Sequence, residues 1–97
     1  MYEAELNRVK GELLLMHDAA NGPEAEHCFR TAIEVARRQA AKSLELRATM
    51  SLARLLDKQD RRDEARTMLA EIYRWFTEGF DTRDLIDAKA LLSELNG

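Results

Sequence analysis

The chain is poor in the residues that interrupt regular structure. Among 97 residues there are one proline and four glycines, and the aromatics are limited to one tryptophan, two tyrosines and three phenylalanines. Ala, Leu, Glu and Arg, all good helix formers, dominate instead, and strand-favouring residues are few, so an all-α domain is expected. No stretch resembles a linker, which leaves room for one domain, near the low end of what can bury a self-sufficient core. Cys28 is the only cysteine, which excludes an intrachain disulfide and suits a reducing compartment. No apolar run approaches the roughly 20 residues that span a bilayer, and the opening MYEAELNRVK lacks the apolar core of a signal peptide. No membrane association and a cytoplasmic location are therefore expected. A formal charge of −3 argues against non-specific nucleic-acid binding, which depends on a basic surface.

What is present is helical periodicity. Leu6, Val9, Leu13 and Met16 recur at spacings of three and four, with Leu14 widening the stripe, and predict a first helix over 3–16. A turn is expected near Ala19 to Gly22, where Asn21 and Gly22 tolerate a left-handed backbone and Pro23 suits the first turn of the next helix. From Pro23 to about Lys42, Ala25, Cys28, Phe29, Ala32, Ile33 and Ala36 form a second stripe with charges on the other face. Ser43 fits the N-cap of a third helix over 44–58, which carries two apolar stripes and should be contacted on two sides. The mixed-sign run DKQDRRDEA reads as a solvated turn. A fourth helix over about 62–78 buries Ala65, Met68, Leu69, Ile72, Tyr73 and Phe76. Gly79 then suits a C′ position and Asp81 or Thr82 a cap, opening a fifth helix on which Leu85, Ala88, Leu92 and Leu95 repeat.

The second and fourth helices echo each other. Residues 22–33, GPEAEHCFRTAI, lie over residues 62–73, RDEARTMLAEIY, pairing Ala25 with Ala65 and Phe29 with Leu69. KGELLL (10–15) lies over LARLLD (52–57) in the same way, pairing Gly11 with Ala53. The pattern resembles the tetratricopeptide (TPR) repeat, in which a small residue on one helix packs against an Ala, a large apolar residue and another Ala on the next. Gly11, Leu14, Ala25, Phe29 and Ala32 match a first repeat, and Ala53, Leu56, Ala65 and Leu69 a second. The period is about 40 rather than 34, and Asn7 and Thr49 stand where the family has tryptophan. The resemblance implies a right-handed stack of two antiparallel helical hairpins, 3–42 and 44–78, with a C-terminal capping helix over 82–96. More narrowly, LNRVKGELLL, EAEHCFRTAIEVARRQAAKSLELRATMSLARLL and IYRWFTEGFDTRDLIDAKALLSEL resemble the C-terminal TPR tails of large bacterial signalling ATPases that carry cyclase or DNA-binding domains. That likeness implies a scaffold or sensing segment whose catalytic parts lie elsewhere, as no GxxxxGK[ST] phosphate loop occurs here.

Few constellations suggest chemistry. His27 and Cys28 are adjacent on a helix and diverge by about 100°, so no metal site, cofactor or catalytic set is expected. Serines 43, 51 and 93 each fit a cap or an exposed position. Transferring the TPR groove implies a peptide-binding face of Arg8, Glu12, Arg47, Met50, Arg54 and Lys58, with the arginines pairing carboxylates and Met50 giving an adaptable apolar contact. Glu12 and Arg54 replace the family's clamp asparagines, so capture of chaperone tails is not implied. The first helix lacks the polar cap that ends a solenoid, and Tyr2, Leu6, Leu14, Leu15 and Met16 mark an end for self-association or docking on a partner. The expected function is a noncatalytic protein-interaction module of a bacterial signalling system, a homo-oligomer or part of a larger protein. The alternatives are a ligand-binding or enzymatic domain with a pocket near the Trp75–Phe80 corner and a purely structural oligomerisation unit.

Overall fold

The computed structural model describes residues 3–76 and 83–97. Within them the chain forms five α-helices and no strand: α1 (Glu3–His17), α2 (Gly22–Arg38), α3 (Lys42–Lys58), α4 (Arg62–Trp75) and α5 (Arg83–Asn96), with a short 3-10 turn at Ala19–Asn21. Each helix packs on the next in sequence, and α3 also touches α1 and α5. The helices thus form two layers, α1, α3 and α5 in one and α2 and α4 in the other. The thinnest dimension, 19 Å, suits two such layers at ordinary helix spacing.

Helix α3 lies at the centre. Its Ala48, Leu52 and Leu55 form one buried stripe and Leu46, Met50 and Ala53 another, with Leu56 between them, as its double stripe predicts. Phe29, Leu46, Leu52, Leu56, Leu69 and Leu95 are the largest side chains withdrawn completely from water. A smaller cluster of Ala4, Val35 and Ala36 closes the joint between the start of α1 and the end of α2.

Helix α1 is apolar on two opposite sides, and the structure turns the less bulky one inward. Ala4 and Gly11 are buried and Leu14 and Leu15 pack against the core, while Leu6, Val9, Leu13 and Met16 point to solvent. Gly11 decides the matter. A Cβ placed there would sit 2.5 Å from Cε1 of Phe29, so only glycine lets α1 seat on that ring. Leucines on the outward side could not approach α2 as closely.

Several local expectations need correction. Gly22 has helical angles, φ −49°, and its lack of a side chain instead leaves room for the Gln59 amide. The preceding turn is capped by Asp18, whose carboxylate accepts from the Ala20 N–H at 2.9 Å. Helix α2 ends at Arg38, earlier than the expected end near Lys42, and α3 begins at Lys42 with Ala41 as N-cap, so Ser43 lies inside the helix and caps nothing. Ser51 is buried on α3 rather than exposed. On α5 it is Leu91 that is buried with Leu85, Ala88 and Leu95, and Leu92 is only partly covered. Gly79, Phe80, Asp81 and Thr82, together with Tyr2, lie outside the described residues.

The turns after α2 and α3 are the same device used twice. Ala41 N–H donates to Ala36 C=O at 2.8 Å and Ala40 N–H to Arg37 C=O at 3.1 Å, while Arg61 N–H donates to Leu56 C=O at 2.8 Å and Asp60 N–H to Asp57 C=O at 3.2 Å. Both are Schellman caps whose C′ residue is left-handed, with φ of 54° at Ala40 and 61° at Asp60. Alanine in that region is strained by the contact of its Cβ with the carbonyl oxygen. Ala40→Gly is expected to stabilise the domain by about 0.5–1 kcal/mol, the strain relieved less the extra freedom of the unfolded chain. Urea denaturation would check this, and a variant less stable than the parent would refute it.

Candidate functional site

Two surfaces of this stack gather the residues that the sequence marks for function. The first is the layer of α1, α3 and α5. Glu5 of α1, Arg47 of α3 and Asp84 of α5 form a chain of ion pairs across it. Arg47 donates to Glu5 Oε2 at 3.2 Å and to Asp84 Oδ2 at 3.0 Å. Arg8 holds the same glutamate with two hydrogen bonds, 2.8 and 3.1 Å. Hydrogen bonding from Arg8, helped by Arg47, keeps the Glu5 carboxyl below the usual carboxylate range against its partial burial.

This arrangement changes what the predicted groove can offer. Arg8 and Arg47 already have carboxylate partners, so an incoming peptide acid must displace Glu5 or Asp84 to reach them. Met50 is 4% exposed and belongs to the core, so it presents no surface to a bound segment, contrary to expectation. Its position on the second stripe of α3 is filled by the packing of α3 on its neighbours. Arg54 and Lys58 are exposed and form no ion pair among the described residues. Arg54 nevertheless borders a hollow of about 250 Å³ with Asp87 and Glu94, whose charges oppose the approach of another acid. Glu12 is half-buried on α1, likewise without an ion-pair partner among the described residues.

The opposite layer carries a second set of charges, which holds helices together. Glu26 and Arg30 of α2 meet Arg61 and Glu64 at the start of α4, with Arg61–Glu26 at 3.0 Å and Arg61–Glu64 at 2.6 Å. Partial burial pushes the Glu26 carboxyl up, but hydrogen bonds from Arg30 and Arg61 outweigh this and leave it lowered. Arg62 pairs with Asp57 and Arg66 with Asp63, so much of the charged run between α3 and α4 closes on itself. The buried carboxylate of Glu45 ties the end of α2 to the start of α3 through Arg37 at 2.9 Å and Lys42 at 3.3 Å. The Lys42 ammonium also stands 5.4 Å from the centre of the Trp75 ring, which gives that indole a partner on α3. Trp75 and Phe76 meet edge to face, and the remainder of the Trp75–Phe80 corner lies outside the described residues.

The second surface is the outward side of α1. Leu6, Val9, Leu13 and Met16 are 66, 41, 57 and 81% exposed, in one line directly opposite Gly11 and Ala4. Leu14 and His17 flank it beside Lys10, where the side chains enclose a shallow hollow of about 360 Å³. Of the end proposed for self-association, Leu6 and Met16 are exposed as expected, whereas Leu14 and Leu15 are half-buried against the core. Val9 and Leu13 take their place. Periodicity identified these residues as a stripe, but it could not say which of two apolar sides faced water. The signal lay in Gly11, whose only purpose in a helix interior is close approach.

Chemical groups do not converge in a comparable way. His27 is exposed and Cys28 is buried, and both border a hollow of about 350 Å³ with Lys10 and Glu24. Among the described residues no group of three or more His, Cys, Asp or Glu side chains is placed to hold a metal ion. No helix among them is long and apolar enough to cross a membrane. Comparison of the chain with protein-family models, curated proteins and solved structures finds no match.

Proposed function

We propose that this chain is a noncatalytic protein-interaction module, a TPR-like stack that serves as a scaffold segment in a bacterial signalling system, and that it docks through the outward side of α1. The observation that carries this reading is the line Leu6, Val9, Leu13 and Met16. Four large apolar side chains exposed together on one helix are costly to keep in water and are the usual mark of a surface that another polypeptide covers. The other end of the stack supplies a contrast, since α5 exposes Arg83, Lys89, Ser93 and Glu94, with Ile86 as its large apolar exception. The sequence resemblance to signalling-ATPase tails supports the biological setting. The pairing of Arg8 and Arg47 within the chain makes the neighbouring groove a weaker candidate for acid capture.

A photo-crosslinking residue placed at Leu13, with a control at Lys89, tests this in the source cell. Discrete protein adducts are expected from position 13 and not from position 89, and Leu6→Glu in the same chain should remove them. Equal labelling from both positions, or no protein adduct from position 13, would overturn the reading.

A further inference from the structure

The charges bordering the α1 stripe have a handed arrangement. Leu6, Val9, Leu13 and Met16 are spaced 3, 4 and 3, which are the a and d positions of two heptads. In that register Gly11 and Ala4 fall at f, the position farthest from the seam, in agreement with their burial against the chain's own core. Lys10 and His17 fall at e, on one flank, and Glu5 and Glu12 at g, on the other. The structure supports both assignments: Lys10 and His17 border the same hollow as Leu6 and Leu13, while Glu5 reaches across the other side to α3.

From this we propose that a second copy of the chain covers the stripe, with the two α1 helices side by side and parallel about a two-fold axis. The proposal rests on the docking role given above to this face. In a parallel pair each g residue meets the e residue five positions on in its neighbour. Glu12 then faces His17 of the second copy and symmetry repeats the contact, while Glu5, the other g residue, stays with Arg8 and Arg47 of its own chain. An antiparallel pair would match Leu6 with Met16 and Val9 with Leu13 equally well, but it would set Glu12 against Glu12 and Lys10 against Lys10. Apolar packing permits both directions, and charge selects the parallel one.

The rest of the molecule allows this pairing. Because the core lies on the opposite side of α1, the two bodies project away from the seam. Leucine at a with a β-branched residue at d otherwise favours larger assemblies. Charged side chains at both e and g keep this stripe too narrow for more than one neighbour. The four side chains expose roughly 400 Å² per copy, so pairing covers on the order of 800 Å², below the range of stable specific interfaces and within that of weak, transient ones. Two heptads are too short to pair as free peptides, but α1 is already held helical by its own domain, which removes most of the ordering cost. A dissociation constant on the order of 10–100 μM is expected.

Sedimentation velocity of the full chain, from about tenfold below to tenfold above that constant, reads the result directly. Reversible dimers are expected, and Leu13→Glu should be monomeric throughout with unchanged helix content by circular dichroism. Glu12→Lys or His17→Glu alone should weaken pairing about tenfold, because each sets two like or unmatched polar groups across the seam, and the two together should restore it to within about threefold, because the substituted side chains are of opposite charge. Met16→Cys should form an interchain disulfide readily under mild oxidation, since a parallel seam brings the two copies of residue 16 together. A monomer at every concentration, a dimer indifferent to Leu13→Glu, or failure of the double charge reversal to recover would each overturn the proposal. If the position-13 crosslink instead lands on a different polypeptide while the purified chain stays monomeric, self-pairing fails and the docking reading stands. If neither association nor crosslink appears, both fail.

Discussion

Phe29→Ala is expected to lower the unfolding free energy by about 3–5 kcal/mol, the range for emptying a buried aromatic site. The ring has no exposure and fills the space between α1 and α2 against the Gly11 backbone. A domain of this size has a total stability of about 5–15 kcal/mol, so the loss removes a large part of it. Urea denaturation followed by far-ultraviolet circular dichroism should show the midpoint falling by a third or more. A change under about 1 kcal/mol would mean that α1 is not seated on this ring and that its inner and outer sides have been misassigned.

The second large effect is expected at the other half of the same contact. Gly11→Val places a branched side chain where even a single Cβ would lie 2.5, 2.9 and 3.0 Å from three atoms of the Phe29 ring. The obstacle is a fully buried aromatic, which has no free volume into which to swing. Overpacking of this kind costs about 1–3 kcal/mol, and the upper end is expected here, with little offset from the modest gain in helix propensity over glycine. Phe29→Leu in the same chain should recover part of the loss. The double-mutant cycle should give a favourable coupling of about 1–2 kcal/mol, and additive effects would show that the two residues do not share a contact. Because α1 alone carries the outward stripe, loosening its seat should also weaken pairing at that face.

The number of helices, their order and most of the buried positions were legible from spacing alone. Ala25, Phe29, Ala32, Ile33, Ala65, Leu69 and Ile72 sit where a 3.6-residue period places them, because α2 and α4 each have a single apolar side. The misses have separate causes. Helix α1 has two apolar sides, and periodicity weights them equally, so the inward side was settled by the steric demand of Phe29 on Gly11 rather than by hydrophobicity. The groove was misjudged at Met50 and incompletely at Arg8 and Arg47, since a sequence shows which side chains are charged but not that Glu5 and Asp84 already hold them. The end of α2 was placed too late because Ala40 carries no turn signal. Its left-handed backbone is imposed by the carbonyls it satisfies.

Those two Schellman turns have a bearing on how the shape of the stack is encoded. The hydrogen bonds from Ala36 to Glu45 recur between Leu56 and Ala65 with each partner displaced by the same interval, including Glu45 N–H to Ala41 C=O and Ala65 N–H to Arg61 C=O. Each joint is closed by the last carbonyls of the helix that it ends and the first amides of the helix that it begins. The two joints therefore satisfy the same backbone groups in the same way, although the helices they connect carry different side chains. Substitutions inside the layers would then alter how tightly the helices are held, whereas a β-branched residue at position 40 or 60, unable to hold the left-handed backbone, would spoil the joint itself, like a seized hinge in a folding rule.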